Sequence, residues 1–185
     1  MKNPYSKLIK ELDKSTVFVV RKGDFVYLCN GAFMKVIHIL DYEEWFINKK
    51  PYYLPLNDGE EVDFNIYDHE YADLTPGITP PHKAKTKLPE LWEDTVNKAT
   101  YQVLISPFIE DIKGDFVFKA GQLRVYKCNG NISGVNERYF KACSGVVDAT
   151  WKSEGNTYSP IVSSTSMILP VRNSLWADLH WLMED

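Results

Sequence analysis

A hairpin unit that occurs twice constrains this chain more than any other feature. Residues 18–31 read Phe-Val-Val-Arg-Lys-Gly-Asp-Phe-Val-Tyr-Leu-Cys-Asn-Gly, and residues 116–130 read Phe-Val-Phe-Lys-Ala-Gly-Gln-Leu-Arg-Val-Tyr-Lys-Cys-Asn-Gly. Each copy predicts a strand, a turn at Gly23 or Gly121, a second strand and a closing Asn-Gly. Asn-Gly tolerates the positive φ values of a tight hairpin turn, so each copy is expected to be a small antiparallel meander. The shared Val-Tyr-x-Cys-Asn-Gly is too specific for two unrelated hairpins and marks an internal duplication. A chain of 185 residues with an apolar fraction of 44% has enough material for two compact cores.

The three cysteines, Cys29, Cys128 and Cys143, include no CxxC, and two of them occupy equivalent repeat positions. That pattern predicts buried thiols in a reducing compartment instead of a disulfide framework. The opening Met1-Lys-Asn-Pro has no apolar signal core, and no apolar run reaches membrane-spanning length. A cytoplasmic protein without membrane contact is expected. The net charge of −4 gives the surface as a whole no attraction for nucleic acid, although a local basic face still can provide one.

In chain order, residues 4–15 predict a helix with Tyr5, Leu8, Ile9 and Leu12 on one face and Lys7, Lys10 and Lys14 on the other. After the first meander, Asp41 is expected to cap a helix from Tyr42 to Lys49 that buries Tyr42, Trp45 and Phe46. Residues 61–67 alternate as a half-buried strand. The stretch 76–88, with Pro76, Pro80, Pro81, Lys83, Lys85 and Lys87, reads as a linker. Beyond it, a helix over 89–99 is expected to bury Leu91, Trp92, Val96 and Ala99 and to expose Glu93, Asp94 and Asn97. A strand from Tyr101 to Pro107 leads to the second meander. Asn136 then caps a helix 137–143 that buries Tyr139, Phe140 and Cys143, followed by strands at 146–152, 157–163 and 167–171. The expected domains are thus 1–75 and 89–173, with an amphipathic tail over 174–185.

No constellation here supports catalysis or a cofactor. Cys29 and Cys128 have no histidine at a repeated offset to serve as base, and a buried structural role is the simpler reading. Asp68, His69, Glu70 and Asp73 gather possible metal ligands, but consecutive strand residues point to opposite faces and cannot converge on one ion. There is no GxGxxG, Walker loop, HExxH or GxSxG. The lysine face of helix 4–15 spans about 60° of arc, and Arg138 with Lys141 lies opposite the aromatic face of the later helix. Either a solvated helix exterior or a phosphate-contacting surface accounts for these residues.

The second half resembles the bacterial DNA polymerase sliding clamp (β subunit), its C-terminal domain in particular. The likeness lies in Val135-Asn-Glu-Arg-Tyr-Phe-Lys-Ala142, in the following Ser159-Pro160-Ile-Val, and in the closing Met167-Ile-Leu-Pro-Val-Arg172. The resemblance implies an α+β DNA clamp fold: two clamp-like domains, each with antiparallel sheets backed by two helices, in a compact, phage-like member. It further implies an oligomeric ring that encircles double-stranded DNA without reading bases and binds polymerase or other replication proteins through short peptides. By motif position Lys7, Lys10, Lys14, Arg138 and Lys141 would face DNA, while Leu169, Pro170, Val171 and Arg172 would border the peptide cleft. Family members carry three domains per chain, so two-domain protomers would close a six-domain ring as a trimer. The acidic exteriors, Glu43 and Glu44 on one helix and Glu93 and Asp94 on another, fit a DNA channel poorly. They leave open a second reading, a clamp-fold protein-binding or oligomerisation module that never encircles DNA and engages the replication machinery. The tail aligns Leu175, Leu179 and Leu182 with Trp176 beside them, either docked on its own core or occupying the cleft beside Leu169–Arg172.

Overall fold

A computed structural model describes residues 2–14, 16–50, 53–65, 87–112, 121–128, 130–143, 152–155 and 159–171. The protein is mixed α+β with antiparallel strand pairing. It divides into two compact units, Met1–Glu93 and Asp94–Asp185. The division falls inside the helix Leu88–Lys98. Most of the expected 76–88 linker lies outside the described residues.

The first unit opens with α1 (Ser6–Leu12), which buries Leu8, Ile9 and Leu12 as an i, i+1, i+4 stripe. Strands β1 (Thr16–Lys22), β2 (Phe25–Cys29) and β3 (Phe33–His38) follow, and β4 (Glu61–Asn65) closes the order β4-β1-β2-β3. Every pairing in it is antiparallel. Between β3 and β4 lies α2 (Ile39–Tyr42), which continues into a single π-helical stretch, Glu43–Ile47. Tyr42 and Phe46 stack at 5.6 Å, and Tyr53 meets Phe46 edge-on at 5.2 Å. This aromatic knot is buried, each member contributing about 1.5–3 kcal/mol of apolar burial.

The second unit takes the C-terminal part of α3 (Leu88–Lys98), then β5 (Tyr101–Gln102), β6 (Leu104–Ile112), β7 (Gly121–Cys128), β8 (Asn131–Asn136) and α4 (Glu137–Cys143). Strands β9 (Lys152–Ser153), β10 (Ile161–Val162) and β11 (Ser166–Ile168) complete it. One sheet runs β6-β7-β8 and a second succession runs β11-β10-β9-β5.

Several expectations shift. Helix 4–15 shortens to Ser6–Leu12, and the next helix starts at Ile39 instead of Tyr42. Its cap is His38, whose Nδ1 accepts the Leu40 amide at 3.2 Å. Asp41 instead accepts the Tyr5 hydroxyl at 2.9 Å. In α3 the buried positions are Leu88, Pro89 and Thr95, with Ala99 buried just past its end and Trp92 half-buried, while Leu91 and Val96 are exposed. The inward stripe is therefore rotated from the one that hydrophobicity alone chose. On α4 the buried residues are Glu137, Ala142 and Cys143, and Tyr139 and Phe140 are only half-buried.

The strand expected from Tyr101 to Pro107 breaks at Val103. Its continuation runs to Ile112 and slips register against β7 between Ile105 and Ile109, around Pro107, which has no amide for the ladder. Of the strands expected at 146–152 and 157–163, the described residues show Lys152–Ser153 and Ile161–Val162. The last strand ends at Ile168, ahead of Pro170. The tail 174–185 lies outside the described residues.

The repeat survives in part. Gly121 is not a turn residue: it pairs with Ile112 at the start of β7, so the partner of the second Val-Tyr-x-Cys strand is β6. Around Val26-Tyr27 and Val125-Tyr126 the two copies agree. Val26, Tyr27, Val125 and Tyr126 are all buried. Each second strand folds back antiparallel on a third, which feeds a side-chain-capped helix. The hairpin tips differ by a step. In the second unit Cys128 pairs with Asn131 across Asn129-Gly130. In the first, the Asn30 amide donates to the Phe33 carbonyl, so Gly31-Ala32 forms the tip. Asn30 keeps negative φ and holds the loop with its carboxamide, which accepts the Ala32 and Phe33 amides at 3.0 and 3.1 Å.

Candidate functional site

The three lysines expected on one helix face divide into two classes, since α1 ends at Leu12 and Lys14 lies in the turn beyond it. Lys7 and Lys10 are exposed, and among the described residues neither forms an ion pair. Lys14 is held at 2.7 Å by Glu11, a carboxylate that the helix turns inward to near-complete burial. Asp13, at the helix end, is bridged by Lys50 at 2.9 Å. The positive charge that remains on α1, at Lys7 and Lys10, is concentrated in one turn.

At α4 the arrangement is more committed. The helix is capped by Asn136, whose Oδ1 accepts the Arg138 amide at 3.1 Å. Its first residue, Glu137, is buried and receives Arg124 of β7 in a two-pronged contact, with Lys141 at 3.3 Å from the same carboxylate. The Arg124 guanidinium also lies 5.0 Å from the centre of the Phe140 ring. Burial opposes the charge on Glu137, but hydrogen bonds and charge from Arg124, then Lys141, outweigh it and hold its carboxyl below the usual range. Arg138 lies over the neighbouring Tyr139 ring at 4.7 Å and donates to its hydroxyl at 2.8 Å. Of the five basic residues singled out from the sequence, Lys14, Arg138 and Lys141 therefore have intramolecular partners.

The residues assigned to a peptide cleft follow β11. Leu169 is exposed, whereas Pro170 and Val171 are half-buried. The Val171 amide donates to the Gly134 carbonyl of β8 at 2.8 Å, which lays this segment along that strand. Arg172, together with Leu175, Trp176, Leu179 and Leu182, lies outside the described residues.

Cys29 is half-buried, not fully buried as expected, and burial raises its thiol pKa despite a hydrogen bond from the Gly31 amide. Such a thiol is a poor nucleophile. Among the described residues no three His, Cys, Asp or Glu side chains converge as a metal site. Residues Asp68, His69, Glu70 and Asp73 lie outside them. Among the described residues no helix is long and apolar enough to cross a membrane. Compared with protein-family models, curated proteins and solved structures, the chain matches none.

Proposed function

We propose that this chain is a clamp-like accessory of DNA replication, a non-catalytic cytoplasmic protein whose homo-oligomer holds double-stranded DNA and engages polymerase or other replication proteins through short peptides. The reading rests on the recurrence of a meander feeding a capped helix in both units. It is joined to the sliding-clamp likeness of residues 135–142, 159–162 and 167–172. Lys7 and Lys10, exposed on one turn of α1, would meet phosphates in contacts that are sequence-independent and salt-sensitive. Leu169, Pro170 and Val171 would border the peptide-binding surface.

The intramolecular partners of Lys14, Arg138 and Lys141 favour a second reading: the same fold as a protein-binding or oligomerisation module that never encircles DNA. Mass measurement in solution, followed by retention on nicked circular and linear DNA, separates the two. A topological clamp stays on circles and slides off free ends, and Lys7→Glu/Lys10→Glu weakens its loading. Equal loss from both substrates by an oligomer of normal mass supports the module.

A further inference from the structure

The start of α2 and the start of β2 place an unpartnered apolar surface on the first unit. Phe25 is 50% exposed and Leu40 is 64% exposed, the highest value among the large apolar side chains of the described residues. His38 joins them: it faces Phe25 across the β2–β3 ladder, edge-on at 6.1 Å, and accepts the Leu40 amide. The surface is built on rigid elements, because the Ile39 amide also donates to the Asp24 carbonyl at 2.8 Å and ties the helix start to the β1–β2 turn. Its rim is acidic. Asp24 precedes Phe25, and Glu43 and Glu44 follow Leu40 by one helical turn, all three exposed. The nearby cation, Lys22, is bound by Glu93 at 3.1 Å.

An apolar centre with an acidic border selects its occupant by charge as well as by shape. We propose that Phe25, His38 and Leu40 form a docking surface for a basic amphipathic segment of a partner protein, its large apolar anchors set on Phe25 and Leu40 and its lysines or arginines against Asp24, Glu43 and Glu44. The surface is independent of DNA retention, since it uses neither Lys7 nor Lys10. It differs from the Leu169–Val171 segment in both residues and unit.

The probe is a synthetic helical peptide with leucines one turn apart flanked by lysines, compared with one in which alanine replaces leucine and one in which glutamate replaces lysine. Titration calorimetry with the full chain is expected to show binding of the first peptide, with the other two weaker by about tenfold or more. Leu40→Ser and Glu43→Lys/Glu44→Lys are each expected to weaken the first peptide by a similar factor, whereas Lys7→Glu/Lys10→Glu leaves it unchanged. These side chains are exposed, and circular dichroism of each variant checks that the fold is kept. Equal binding of the alanine peptide, unaltered binding by Leu40→Ser, or no binding at all overturns the proposal. So does self-association that Leu40→Ser abolishes, which would make a second copy the occupant.

Discussion

Arg124 of β7 grips Glu137 at the start of α4 through two hydrogen bonds, Nε to Oε2 and Nη2 to Oε1, each 2.7 Å long. Glu137 is 2% exposed, so the pair joins strand and helix where the chain turns from one to the other. A carboxylate this deep is stable only while its cations stay in place.

Breaking that pair is expected to be costly. Arg124→Met leaves a buried charge with only Lys141 beside it, and a loss of about 3 kcal/mol is expected from urea unfolding at neutral pH. The pH dependence has a definite sign. The Glu137 carboxyl titrates below its ordinary value of 4.5 in the folded chain, so its contribution is present above that pH and lost as pH falls through the folded value. Glu137→Gln should flatten this part of the acid limb.

Tyr5 and Asp41 connect α1 to α2. Tyr5→Phe removes a hydrogen bond to a carboxylate and is expected to cost about 1.5 kcal/mol. Burial first, then Asp41, raises the Tyr5 phenol above its ordinary value of 10.0. Its contribution is therefore full below that pH and declines as pH rises through the folded value. Alkaline unfolding curves of wild type and Tyr5→Phe should diverge there, with Tyr42, also raised by burial, sustaining the remaining dependence.

The two helix caps should behave alike. His38→Ala and Asn136→Ala each free a first-turn amide, with an expected loss of about 1 kcal/mol in thermal or denaturant melts. Asp41→Ala tests the alternative cap. Its cost should be strongly non-additive with Tyr5→Phe and additive with His38→Ala.

At the hairpin tips, Gly31 and Gly130 have φ of +83° and +75° with open space around them. Alanine at either position is expected to cost about 1–2 kcal/mol from backbone strain alone. Gly155→Ala should cost more, because its Cβ would lie 2.7 Å from the Tyr101 ring. Denaturant midpoints of the three variants test this order.

Local signals were legible where backbone chemistry dominates. The Val-Tyr-x-Cys-Asn-Gly strands, their hairpins and helix 137–143 follow from turn residues, alternation and a capping asparagine. The strand expected over 167–171 stops at Ile168, because Pro170 has no amide to offer a ladder. The reading failed where a side chain had a better partner elsewhere in the fold. Asp41 has the composition of a cap, but Tyr5, distant in sequence, takes its carboxylate, and His38 assumes the role. Nothing local marks Glu137 as buried; Arg124, thirteen residues earlier, is what makes its burial possible.

The same limit applies to the candidate sites. Sequence periodicity determined that Lys7 and Lys10 share one helix face, because helical geometry is local, but not that the helix stops at Leu12, short of Lys14. Tertiary structure decided that Glu11 is buried beside Lys14, that His38 meets Phe25 edge-on, and that Phe25 and Leu40 both stay exposed. Spacing along a chain sets which residues can be neighbours on a single element. Which charges are neutralised, and which apolar side chains stay uncovered, depends on the elements that pack around them.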